Sequence, residues 1–167
     1  MRKLDAAAVR QIAARAREQY SAAGKPMLSV LRQAEVDPPV VVHAPDGQPA
    51  YWLVPYVIGD FAAGFARIGL AGAVSQIGTF GAGPDDRRSW IPRDFFQRPN
   101  DRALDEIRAQ FADAVISEPM LSYDTSPAKW GWRLTVSRQG RVAAVVFITP
   151  GGWYERPQGP NPPDTEG

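Results

Sequence analysis

The chain carries a single imidazole, His43, and any Ser–His–Asp relay or histidine-based metal site would have to use it. It lies in a run of β-branched residues, Val40-Val41-Val42-His43, with no second histidine to complete a metal set, so it reads as structural or exposed. Cysteine is absent, which excludes disulfides, thiolate ligands and a cysteine nucleophile. Carboxylates are adjacent at Asp85-Asp86 and Asp105-Glu106. Such a pair does acid–base work only where burial or its neighbour raises one pKa. Arg87-Arg88 follow the first pair and hold both acids ionised. Asp105 and Glu106 fall on a helix, where adjacent side chains point apart. The glycines of Gly78 to Gly83 lack the Lys-Ser/Thr of a phosphate loop and precede no helix. No catalytic residue, metal ligand or cofactor is assigned.

Binding chemistry is concentrated in Asp85 to Arg98, where Arg87, Arg88, Arg93 and Arg98 interleave with Trp90, Phe95 and Phe96. Trp and Arg are the types that concentrate interface energy. Asp85, Asp86 and Asp94 dilute the positive charge that stacking on nucleobases would need. Arg87, Arg88, Trp90, Arg93, Phe95 and Phe96 are therefore the candidate partner-binding residues. The competing reading folds Trp90 and Phe95 back over a sheet edge or between lobes. Trp130 and Trp132 share one strand face by the two-residue period, where packing is the favoured reading.

The elements that must position these residues alternate between helix and strand chemistry. Leu4, Ala8, Ile12, Ala16 and Tyr20 recur every four residues and predict a helix over 4–23, stopped at Gly24. Residues 27–35 predict a second short helix, ended by Pro38-Pro39. Strands are predicted at 40–44, 50–58, 61–69 and 73–80, the first two joined by the turn Pro45-Asp46-Gly47. Pro55 has no N–H to donate, which places its strand at an edge or at a bulge. Residues 81–99 read as a long loop. A helix capped by Asn100 or Asp101 is expected to run to about residue 116, and strands at 119–123, 129–137 and 141–149 follow it. The Pro- and Gly-rich tail from 157 to 167 reads as disordered.

This order predicts an α+β fold of two helix-plus-antiparallel-meander units with an extra N-terminal helix. The units span 1–80 and 100–156, with 81–99 connecting them, and form either two packed lobes or one shared sheet. Pro49-Ala50-Tyr51-Trp52 stands against Pro127-Ala128-Lys129-Trp130, which supports a tandem repeat. The Asp-Gly turn and the stretch Pro49 to Pro55 resemble PepSY-like units of bacterial proteins, a cystatin-like style of helix on antiparallel sheet. That resemblance implies a non-catalytic binding or regulatory module.

Composition bounds the partners. A formal net charge of +1 lacks the basic excess of a nucleic-acid binder. Apolar runs are broken well short of a membrane span. The basic N-terminus has no uninterrupted apolar core, so no signal peptide is read and a cytoplasmic location is expected. The expected function is a non-catalytic protein-binding, inhibitory or regulatory module, with another protein as partner. The alternative is a small-ligand binder or enzyme with a pocket between helix and curved sheet, using polar groups such as Tyr51, His43 or Tyr123.

Overall fold

The computed structural model describes residues 4–24, 26–81 and 86–157. Ala82, Gly83, Pro84, Asp85 and the tail from residue 158 lie outside them. In chain order the elements are α1 (Ala6–Ala22), a 3-10 helix (Pro26–Gln33), β1 (Glu35–Val36), β2 (Val40–His43), β3 (Pro49–Ile58), β4 (Phe61–Gly69) and β5 (Val74–Thr79). A 3-10 turn (Arg87–Ser89), β6 (Ile91–Pro92) and a second such turn (Arg93–Phe96) lead to α2 (Asp101–Gln110). The chain ends in β7 (Val115–Ile116), β8 (Met120–Tyr123), β9 (Trp130–Arg138), β10 (Arg141–Thr149) and β11 (Gly152–Glu155).

Helix starts follow side-chain capping. The Asp5 carboxylate accepts the Ala8 N–H at 2.8 Å, and the Asn100 side-chain Oδ1 accepts that of Ala103 at 3.2 Å. The buried stripe of α1 is Val9, Ala13 and Ala16. Tyr20 points outward, 41% exposed.

The expectation of two helix-plus-meander units with an extra N-terminal helix is overturned. All strands belong to one mixed sheet of eleven, accompanied by one long helix and a short second one. The sheet runs β11-β10-β9-β8-β2-β3-β4-β5, with β1 on β3, β6 on β4 and β7 on β9. Its neighbours are antiparallel except at the centre, where β2 and β8 run parallel with His43 opposite Ser122. The segment 81–99, expected as a loop, supplies β6 to the sheet and buries Ile91, Phe95 and Phe96 in the core. The expected long second helix stops at Gln110, because Val115 and Ile116 pair with Ser137 and Val136 of β9 instead.

Pro55 sits inside the sheet rather than at an edge, paired with Phe65 of β4, and the β3–β4 register shifts one residue on, between Tyr56 and Val57. Its other side faces the break between β1 and β2 at Asp37-Pro38-Pro39. There its carbonyl accepts the Asp37 N–H at 3.0 Å. The ladder lacks a strand residue at the point where proline lacks a donor, so an internal proline leaves no acceptor stranded.

Three apolar clusters hold the layers. The first packs α1 and the 3-10 helix, through Val9, Ala13 and Leu31, on Val54, Tyr56, Ala66 and Ile68. The second covers the opposite face of the same strands with Ile91, Phe95 and Phe96, and reaches Leu121, Tyr123, Trp130 and Trp132. The third packs Ala103 and Ile107 of α2 on Leu134, Val136, Val146 and Ile148.

The β4–β5 contact is tight at Gly64. A Cβ there would run into the Gly78 carbonyl oxygen and stand 2.8 Å from Leu31 Cδ2. Gly64→Ala is expected to destabilise the fold by about 1–3 kcal/mol through backbone displacement. Urea unfolding checks this, and an unchanged midpoint would refute the close approach.

Candidate functional site

The structure separates the predicted partner-binding residues. Phe95 and Phe96 are core residues, 6% and 1% exposed. Arg93 grips the buried Asp37 in a two-point ion pair, Nε to Oδ2 at 3.1 Å and Nη2 to Oδ1 at 2.6 Å. Asp37 is held in this way by a residue of the segment that crosses the sheet. Arg87, Arg88 and Trp90 remain together at the surface. The Arg87 guanidinium lies 5.4 Å over the half-buried Trp90 ring, and Arg88 is exposed.

The best-formed chemical environment lies on the sheet face opposite α1. There a half-open recess of about 330 Å³ is lined by residues of β3, β4 and β5, by Phe80 and Ile91, and by Pro127 to Trp130. Phe65 and Arg67 share one face of β4 by the two-residue period and meet the recess from below. Phe80 stacks on Phe65 at 5.2 Å and meets Trp130 edge-on at 6.1 Å. Trp130 also packs against Phe95 and Phe96 at 6.0 and 5.4 Å. Trp132 Nε1 donates to the Phe95 carbonyl at 2.7 Å. The two indoles are packing residues, and Trp130 presents an edge of that packing to the recess.

Two polar ties fix the recess wall. From β3, the Tyr51 hydroxyl donates to the Pro127 carbonyl at 2.7 Å. Burial pushes the Tyr51 pKa up to about 12, with the Arg67 charge pulling the other way. From the far side, the loop closes on the buried Asp124, whose N–H donates to the Lys129 carbonyl at 2.7 Å. Asp124 Oδ2 receives Lys129 Nζ and the Tyr154 hydroxyl, each at 3.0 Å, while Arg156 Nε stands 3.2 Å from Oδ1. Burial alone would raise the Asp124 pKa. The hydrogen bonds from Lys129 and Tyr154, with the charges of Lys129 and Arg156, outweigh it and hold the carboxyl below its usual range. Such a carboxylate is a strut rather than a proton donor at neutral pH. Thr125 beside it adopts φ +56°, a left-handed turn that non-glycine residues seldom take.

Of the polar groups named from sequence, Tyr51 lines the recess and stacks on Tyr123 at 6.4 Å. His43 does not reach it. Its Nδ1 lies 3.1 Å from the Leu121 carbonyl oxygen, which can only accept, so Nδ1 carries the proton there. Arg67, Gln76, Asp124 and Lys129 were not singled out. Arg67 had a signal: it is the one charge in the otherwise apolar strand Phe61 to Gly69. Lys129 and Asp124 had none, since their pairing depends on Tyr154 and Arg156 from a strand that was not predicted.

A second hollow lies by the start of α2, among Asn100, Arg102, Thr149 and Pro150. Two of its arginines are paired locally, Arg98 to Asp101 and Arg102 to Glu106. Among the described residues no group of three His, Cys, Asp or Glu side chains could hold a metal ion, and no helix is long and apolar enough to cross a membrane. No protein-family model, curated protein or solved structure matches the chain.

Because its folded pKa is depressed, Asp124 stabilises the fold fully above its ordinary value of about 4, and that contribution is lost as pH falls through the lower folded value. Asp124→Asn should cost about 1–3 kcal/mol at pH 7, since Lys129 and Arg156 keep some access to water. The gap from the parent should narrow below about pH 4. Urea titrations at stepped pH measure it, and a gap independent of pH would rule out the ionised strut.

Proposed function

We propose that the protein is a small-molecule-binding protein whose site is the aromatic recess between β4–β5 and the loop from Asp124 to Lys129. The observation that carries this reading is the recess itself, with Phe65, Phe80 and Trp130 as apolar walls and Tyr51, Arg67 and Lys129 as converging polar groups. Ligand sites combine apolar walls with a few placed polar groups in this way, at volumes of roughly 300–1,000 Å³. At about 330 Å³ the recess suits one planar bicyclic group rather than an extended chain. Its wall is tied at both ends, so little ordering cost falls on binding.

A protein-contact reading keeps a narrower basis. It rests on Arg87 stacked over Trp90 with Arg88 beside them, and no longer includes the buried Phe95 and Phe96.

Naphthalene-2-carboxamide, a neutral planar probe, is expected to bind saturably at one site. Backbone amide shifts on titration should cluster at Phe65, Phe80, Lys129 and Trp130. Shifts that fail to saturate, or that gather on α1, would overturn the assignment.

A further inference from the structure

We propose that the recess selects an anionic planar ligand, an aromatic carboxylate, and that Arg67 is the residue that reads its charge. This rests on the small-molecule reading above and adds the ligand class to it.

Among the described residues, the recess lining contains two cations, Arg67 and Lys129, and no carboxylate. The cations differ in what they already hold. Lys129 is committed to Asp124 at 3.0 Å and lies 4.7 Å over the Tyr154 ring. Arg67 has no carboxylate within ion-pair distance among the described residues. Its Nε donates to Ser75 Oγ at 3.0 Å, and Ser75 Oγ in turn donates to the Arg67 carbonyl at 3.1 Å. Its guanidinium lies 5.5 Å from the centre of the Tyr51 ring. Serine on one edge and tyrosine on one face leave the Nη1–Nη2 edge with no hydrogen-bond partner among the described residues. That edge is the geometry a carboxylate takes in a two-point hydrogen bond.

The apolar lining decides the rest of the ligand. Phe65, Phe80 and Trp130 surround the space beside Arg67, and flat aromatic walls favour a flat aromatic body. A carboxylate must shed part of its water to enter. Because the recess is half open, that loss is partial, and a charge-assisted pair exceeds it by a modest margin. The same openness leaves the pair exposed to screening by salt.

The test compares 2-naphthoate with naphthalene-2-carboxamide, which match in ring and shape and differ in charge, by amide-shift titration at pH 7. Naphthoate is expected to bind about tenfold tighter at low salt, a preference that shrinks toward about twofold in 1 M salt. Arg67→Met should abolish the preference, with folding checked by the melting temperature. Lys129→Gln should retain the preference. Equal binding of both probes in the recess, or a preference that survives Arg67→Met or vanishes with Lys129→Gln, would overturn the role of Arg67 and leave the recess as a site. Failure of both probes to bind would overturn the recess and the ligand class together.

Discussion

The middle of the sheet is a parallel seam with a single aligned pair, His43 of β2 opposite Ser122 of β8. Side chains reinforce it on both strands: the Ser122 hydroxyl donates to the His43 carbonyl at 2.8 Å, and the His43 ring bonds the Leu121 carbonyl. So few bonds cannot hold eight strands in line, since each is worth only about 1 kcal/mol net. Apolar burial across the seam supplies the rest. Val42 and Leu53 on one side and Leu121, Tyr123, Trp130 and Trp132 on the other share one cluster, capped by Phe95 and Phe96. Antiparallel hairpins to either side form from local chain, but this joint must be made by residues about eighty positions apart. The segment between β5 and α2 therefore has to lie across the face, where it closes the cluster.

Two buried carboxylates brace that arrangement. Asp37, at the break between β1 and β2, holds Arg93 and so pins the crossing segment to the sheet. Asp124 holds the β8–β9 loop to β11 through Lys129, Tyr154 and Arg156. Both acids have side chains 4% exposed, while Arg93, Lys129 and Arg156 remain between 37% and 57% exposed. The buried charge is thus always the acid, and the cation keeps its water. This lowers the desolvation cost that makes fully buried pairs unprofitable. The recess is floored by β3–β5 and walled by the loop that Asp124 and Tyr51 fix.

The hairpins were legible because their signals are local. Gly47 and Gly140 do take positive φ at the two turns marked by Asp46-Gly47 and Gln139-Gly140, and the strands around them fall within a residue or two of the expected bounds. Strands β1, β6 and β7 were missed because two residues are too few for alternation to show. The pairing of β2 with β8 leaves no mark in either strand, so the pattern reads as two meander units, on separate lobes or one shared sheet. Aromatic content led to Phe95 and Phe96 as surface candidates, yet a segment rich in Arg and Phe is also what a strap over an open sheet face needs. Its phenylalanines point in, Arg87, Arg88 and Arg98 are exposed, and Arg93 turns to the buried Asp37. Arg67 was visible as a lone charge in an apolar strand, but its surroundings come from Ser75, Phe80 and the loop near residue 127, which only the fold assembles.

The contrast between Arg67 and the cations that hold the two buried acids separates a binding role from a structural one. Arg93, Lys129 and Arg156 each neutralise a buried acid, so their positions are explained by the acids they hold. Arg67 also has a structural use, since its stem covers apolar surface and its guanidinium stacks on Tyr51. That use needs a flat or long side chain and gains from a positive charge only through the ring. It does not require the lining to be free of carboxylates, and a surface with ordinary mixed charge would supply one. A guanidinium in the lining of an aromatic recess, with Asp124 already bound to Lys129, carries a charge with no matching carboxylate among the described residues. Stacking accounts for where Arg67 lies, and the unmatched charge accounts for what it can recognise.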